Sequence, residues 1–480
     1  MRISYVALLA AACGDAGATA PGVVDATLTL TVTESEPVEA VEAVVAVPEP
    51  EDVRTSATDR VLRRAPEPGA PVRGILAARA PFNVWETAEG PGCDEAWARV
   101  SQDGWACLSG TEATTSPAAL VPTLVPFDPP QPSEWERYSG GNGYDRDPVA
   151  DAERLLPFVY AKPFRRKWTG KLYASAEAYA RGEAPVGQMN RGDHKYSFVR
   201  AEDTERGTVI VRADGQVAAA DDVFFYPVDR FEGRDLVADP PPEGTAAAWA
   251  IGYEGSKMYA APGDEEAEPA RIVPYHAAFV VADAPVTPDG RWWEVPDGMG
   301  PGVSGYLIED FDYPSFRRVD PGPIPAEVTP EQLWVDVHLR QQTLVLYRGD
   351  EPLFATMVSS GNKLPTPVGM FRIYDKFAYG DMEGRPDADY EPYLVENVPW
   401  VMHFAPRYAL HGAFWHWGFG HVASHGCVNL APKDARRLYD IVSPGVEPGM
   451  LAAMESPQEP GTMLRIRRDN PEVRDRRKPL

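Results

Sequence analysis

The chain has 480 residues, 44% of them hydrophobic, with twelve Trp and a formal net charge of −25. That is apolar material for about three packed domains, and the acidic balance excludes charge-driven binding to nucleic acid or to anionic lipid. The 49 prolines cluster between denser segments, which predicts modules on stiff connectors.

Residues 1–13 read as a short export signal, with Arg2, an apolar run from Ile3 to Ala12, and then Cys13. The segment Leu9-Ala10-Ala11-Ala12-Cys13 resembles a bacterial lipobox, which would make Cys13 the lipidated residue. Ala10 stands where that motif carries Leu, and a plain signal peptide cleaved near Ala10–Ala12 is the competing reading. Residues 14–58 hold no aromatics and are rich in Glu, Asp, Pro, Ala, Val and Thr, so they read as a disordered acidic tether. No later segment reaches the ~18 apolar residues a membrane-crossing helix needs.

Over 59–112, short β-like runs alternate with turn residues. These are Val61-Leu62-Arg63, Gly74-Ile75-Leu76, Phe82-Asn83-Val84-Trp85, Trp97-Ala98-Arg99-Val100 and Gly104-Trp105-Ala106-Cys107, with Pro66-Glu67-Pro68-Gly69 between the first two. The order resembles a bacterial SH3-like (SH3b) domain, a small β-barrel often attached to wall enzymes. In an exported protein, Cys93 and Cys107 bracketing the Trp97 run read as a disulfide. Two free thiols are the alternative.

Residues 113–150 read as a Pro-, Ser- and Gly-rich linker. Residues 151–240 form a β-rich module of unassigned type, with strands at Phe158-Val159-Tyr160, Lys171-Leu172-Tyr173 and Thr208-Val209-Ile210-Val211, and a helical turn or two in 174–181. Over 245–315, the runs Lys257–Pro262, Arg271–Tyr275, Phe279–Val281, Arg291–Val295 and Gly305–Leu307 repeat the order of the first module, which suggests a second SH3-like fold. Wall glycan or peptide binding is one role for these modules, and spacing the enzyme is the other.

The last domain spans 325–468. Leu333–Val337, Gln342–Tyr347, Leu353–Ser359, Met370–Ile373, Val398–Phe404 and Met463–Ile466 read as strands. The polar stretch 375–396 has the composition of a mobile lid. A helix is predicted over 432–442, with Ala435, Leu438, Ile441 and Val442 on one face. Residues 469–480 are a basic tail.

Within this domain, 408–430 reads YALHGAFWHWGFGHVASHGCVNL and holds one cysteine, Cys427. A thiol attacks a carbonyl as thiolate, so it needs a base, and the acyl intermediate needs backbone N–H donors. His411, Gly412 and then Ser424-His425-Gly426-Cys427-Val428-Asn429 resemble the signature of the L,D-transpeptidase (YkuD) family, and Thr366-Pro367-Val368-Gly369-Met370-Phe371 resembles its Thr-Pro-x-Gly-x-Phe element.

The resemblance implies a mainly β fold. A β-sandwich catalytic domain would carry a short helix after the cysteine and follow the small SH3-like barrels. It also implies Cys427 as nucleophile, His411 as base, the Gly412 carbonyl orienting the imidazole, and Gly426 and Cys427 N–H groups at the oxyanion. Ser424, His425 and Asn429 would shape the site. A position just before the helix would lower the thiol pKa through the helix dipole. Trp415, Trp417 and Phe419 either line the acceptor side or pack the loop.

The substrate would be the peptidoglycan stem peptide, cleaved and transferred through a thioester in the envelope of a bacterium, without metal or cofactor. Contact with a membrane would come only through an N-terminal lipid. Three readings compete. Zinc binding has five histidines from His403 to His425 but lacks C-x-x-C or H-E-x-x-H spacing. Cys427 as a buried hydrophobe is the second. The third is a wall-binding lipoprotein with an inactive domain. His403, His416 and His421 read as solvated or structural.

Overall fold

The computed structural model describes residues 49–118, 156–163, 170–189, 193–226, 229, 231–310, 314–362, 364–384 and 393–468, and structural statements below concern these. The fold is mainly β. Apolar runs in the last domain are nearly unbroken because both faces of its first sheet are buried. Strand Leu333–His338 pairs antiparallel with Thr343–Arg348 and parallel with Met463–Arg467, and Thr343–Arg348 pairs with Glu351–Ser359. Side chains alternate across a strand. Val335, Val337, Leu344, Leu346, Phe354, Val358, Leu464 and Ile466 therefore enter the main core of this domain. Trp334, Val345, Tyr347, Ala355, Met357 and Met463 face the opposite way, and Phe231, Leu236, Trp249, Ile251 and Val319 of the preceding segments cover them.

A second run of strands continues from this sheet. Glu351–Ser359 pairs with Val428–Leu430, which lies parallel to Tyr408–Gly412. Tyr408–Gly412 pairs with Tyr393–Ala405, then come Asp375–Glu383 and Met450–Met454. The earlier segments join this ribbon by backbone pairing. Val72–Leu76 pairs with Met450–Met454, Asp193–Phe198 runs parallel to Tyr393–Ala405, and Arg234–Asp235 pairs with Glu351–Ser359. Gly74 permits the first contact, since a Cβ there would lie 2.4 Å from Ala452 O.

The described residues of the earlier segments are packed into the last domain. They share sheets and cores with it, because its strands have edges and faces that those segments complete. The disulfide Cys93–Cys107 is formed and closes 14 residues of the first module. The tether ends earlier than expected, since Asp52–Ser56 is a strand paired with Phe82–Val84 and Thr111–Ala113.

Of the stretch expected as a lid, Asp375–Glu383 is a strand paired with Tyr393–Ala405, and residues 385–392 lie outside the described residues. The helix after Cys427 spans Pro432–Ile441. It buries Ala435, Leu438 and Tyr439, but Ile441 is exposed. The short helix in the second module is Ala176–Ala180, capped by Ser175. The signal, Cys13, most of the tether, residues 119–150 of the linker and the tail from 469 lie outside the described residues. Among the described residues no helix is long and apolar enough to cross a membrane.

Candidate active site

Parallel pairing of Tyr408–Gly412 with Val428–Leu430 sets Leu410 against Val428, His411 against Asn429 and Gly412 against Leu430. Leu410, Val428 and Leu430 point into the main core of the domain. His411 and Asn429 lie on the other face. One step back in the same register places Cys427 beside Ala409, and both pack against one cluster on that face. The period-2 alternation of two adjacent strands thus puts Cys427, His411 and Asn429 on one face, the first two from positions sixteen apart in sequence.

His411 is buried, and its Nδ1 lies 3.2 Å from Gly412 O. A carbonyl only accepts, so Nδ1 carries the proton and Nε2 keeps its lone pair. Burial lowers the His411 pKa to about 4, with the Gly412 hydrogen bond opposing and His403 adding to the shift. The half-buried Cys427 directs its thiol to Arg407 O at 3.8 Å. Burial pushes this thiol up to about 11, against a backbone hydrogen bond from Ala409.

The expected lowering by a helix dipole is not found. The strand Val428–Leu430 separates Cys427 from the helix that starts at Pro432, and the dipole acts only within the first turn. Both shifts favour the uncharged forms, thiol and imidazole.

The loop before Cys427 is held by two hydroxyls. Ser424 Oγ accepts from Gly426 N at 3.0 Å and donates to Cys427 O at 2.5 Å. Thr366 Oγ1 accepts from Gly361 N at 2.9 Å and donates to Gly426 O at 2.8 Å. Gly426 sits at φ +127°, and a Cβ there would lie 2.8 Å from Tyr408 Cε1. Its N–H, expected at the oxyanion, is engaged by Ser424 in this state.

Asn429 does not touch the thiol. Its side-chain amide meets His416 Nε2 at 2.9 Å, while His416 Nδ1 accepts from Gly418 N at 3.2 Å. A neutral ring that accepts at Nδ1 carries its proton on Nε2, so the amide oxygen of Asn429 is the matching partner. His425 packs its ring 4.7 Å from Tyr393. His403 Nδ1 meets Asp375 Oδ1 at 2.6 Å, and His421 Nε2 meets Ile251 O at 3.0 Å, so these two and His416 are structural. Among the described residues no group of His, Cys, Asp or Glu is gathered as a metal site.

Residues 332–450 match the YkuD family of L,D-transpeptidase catalytic domains. Solved structures similar to the chain include a cysteine-to-serine mutant of Enterococcus faecium L,D-transpeptidase. It is 22% identical with a TM-score of 0.23, over 28% of this chain and 50% of that one. The isolated catalytic domain from the same organism is 24% identical with a TM-score of 0.23, over 28% of this chain and 97% of that one. An L,D-transpeptidase from Mycobacterium smegmatis is 20% identical with a TM-score of 0.24, over 40% of this chain and 90% of that one. The chain spans about half the length of the E. faecium protein. No curated protein matches it.

Around Cys427 and His411 the structure adds contacts that the sequence does not announce. Thr366 lies in the Thr-Pro-x-Gly-x-Phe element, but its bond to Gly426 O joins segments 60 residues apart. Trp415 stacks on His411 with ring centroids 5.7 Å apart. Phe419 is fully buried against Phe231 and so packs the loop, whereas Trp417 is 48% exposed. Lys195, from the second module, lies with Nζ 5.5 Å from the Trp415 ring. Its only sequence signal is its place in an alternating strand, HKYSF.

Proposed function

We propose that the chain is a cysteine-dependent L,D-transpeptidase acting on the stem peptides of peptidoglycan. The observation that carries this is the common face of Cys427 and His411 in a domain of that family, with the Gly412 carbonyl fixing the imidazole tautomer.

In this reading the thiol turns from Arg407 O toward His411. Nε2 takes the thiol proton as sulfur bonds to the carbonyl carbon of the third stem residue. The Cys427 N–H, joined by Gly426 N–H if Ser424 releases it, stabilises the oxyanion. The C–N bond then breaks, and the imidazolium protonates the departing D-alanine amine. An amine attacks the thioester, passes its proton through His411 and releases Cys427, giving a cross-link. Water in place of the amine gives a shortened stem. Ser424 and Thr366 hold the nucleophile loop, while Asn429 and His416 hold the loop that follows His411. No metal or cofactor enters the scheme.

The envelope is the site of action that this substrate requires, and lipidation at Cys13 would anchor the chain there. The segments 59–112 and 245–315 keep their SH3-like reading. Their shared cores with the catalytic domain favour support over independent wall binding.

The test is intact mass of the full chain after incubation with a carbapenem, an acyl-donor mimic. One adduct in the wild type and none in Cys427→Ala supports acyl transfer. No adduct on a folded chain that still binds purified wall would favour the inactive, wall-binding reading.

A further inference from the structure

The second module enters the catalytic domain close behind the base. Its strand Asp193–Phe198 lies parallel to Tyr393–Ala405, with Lys195 opposite Val395. Polar contacts lock this join. Arg212 Nη1 donates to Glu396 Oε1 at 2.9 Å, Ser197 N donates to Glu396 Oε2 at 3.0 Å, and Tyr160 Oη donates to Asn397 O at 2.5 Å.

From this platform, side chains reach the loop after His411. Tyr160 stacks on Phe414 with centroids 3.6 Å apart and planes at 17°. Tyr226 meets the same ring edge-on at 5.4 Å. Phe414 stands perpendicular to Trp415 at 5.0 Å. Lys195 is buried and lies 5.5 Å from the Trp415 ring centre. Trp415 in turn stacks on His411 at 5.7 Å with planes at 30°. Leu156, Phe158 and Tyr160 share one apolar cluster with Phe414, and Cys427 packs against it.

The Gly412 carbonyl fixes one ring nitrogen of His411 but leaves the tilt of the plane to its neighbours. Trp415 is the flat neighbour, held perpendicular to Phe414, which itself stacks on Tyr160, with the Lys195 cation near its ring. We infer that residues 156–226 are an obligate part of the acyl-transfer centre, with Lys195 and Tyr160 as positioning residues that act on His411 through Phe414 and Trp415. This rests on the proposed role of His411 as base, and it replaces the expectation of a spacer or a separate binding module.

The test compares the full-length wild type with Lys195→Met, Lys195→Arg and Tyr160→Leu. It follows carbapenem acylation over a range of drug concentrations and takes the thermal midpoint of each protein. Misplacing a base by about 1 Å costs up to about a hundredfold. Lys195→Met is therefore expected to lower the limiting acylation rate about ten- to a hundredfold, with the half-saturating concentration and the midpoint nearly unchanged. Lys195→Arg, which keeps the cation, is expected to recover to within about threefold.

A wild-type rate in folded Lys195→Met overturns the inference. So does a raised half-saturating concentration at an unchanged limiting rate, which would make Lys195 a substrate contact. If Lys195→Met does not fold, a wild-type rate in folded Tyr160→Leu overturns it equally. A wild type that takes no adduct removes the acyl-transfer reading as well, whereas normal wild-type and variant rates together remove only this one.

Discussion

The thiol of Cys427 offers a quantitative check on the proposed chemistry. Burial moves it from 9.0 to about 11, which disfavours thiolate by about 3 kcal/mol. At pH 7 only about one thiol in ten thousand is then ionised. Alkylation by iodoacetamide needs the thiolate, so its rate is expected to rise about tenfold per pH unit from 7 to 10. Acylation that hands the thiol proton to His411 behaves differently. His411 loses its proton near pH 4, so the neutral base is present at every pH above that and is lost as pH falls through it.

Carbapenem acylation is therefore expected to be flat from about pH 6 to 9 and to fall only toward pH 4. His411→Gln should cut acylation about 10²- to 10⁴-fold while changing alkylation little. Intact mass against time at each pH reads both reactions. An alkylation rate that levels off below pH 8 would refute the argument, because it would mean a standing thiolate–imidazolium pair.

Three further predictions concern how the domain is held. Asp434 is buried, accepts from Gly233 N at 3.0 Å and Thr356 Oγ1 at 2.5 Å, and is pushed up to about 7 by burial. A raised carboxyl pKa contributes stability that is full below its unfolded value of 3.8 and lost as pH rises through 7. The stability of Asp434→Asn relative to wild type, measured by denaturation, should therefore increase by about 1.4 kcal/mol per pH unit between 4 and 7, and parallel curves would contradict this.

Arg73 is fully buried, pairs with Asp103 at 2.6 Å and with Glu459, and donates to Met454 O at 2.7 Å. Arg73→Met is expected to cost about 3–5 kcal/mol in denaturant unfolding, because it strands partners on both sides of the join. Residues 325–468 expressed alone expose Trp334, Tyr347 and Met357 together with three unpaired strand edges. That fragment is expected to aggregate, and a monomeric fragment with wild-type acylation in size-exclusion and mass assays would refute the shared-core account.

Much of the candidate site is legible in the order of the amino acids, for a local reason. Ser424 to Asn429 are contiguous, so their order fixes which residues share a strand face and which form the turn. His411 precedes a glycine whose own carbonyl orients it. The strands of the last domain are also legible, because apolar runs with little interruption mark sheets buried on both sides. What covers the second face is not. Alternation tells that Trp334 and Val335 point apart but not that Trp249 joins the core on the side of the first.

The joins at 72–76, 193–195 and 234–235 are hidden for a deeper reason. They are made by backbone N–H and C=O groups that every residue possesses, so no side-chain pattern announces them. The thiol pKa runs opposite to the expectation because the strand Val428–Leu430 intervenes before the helix, and because burial is a property of the packed chain. The sequence by itself determined the proposed nucleophile, its proposed base and the order of the strands. Tertiary structure alone decided that a second module stands behind the base, since desolvation and strand pairing depend on what the chain brings near from far away.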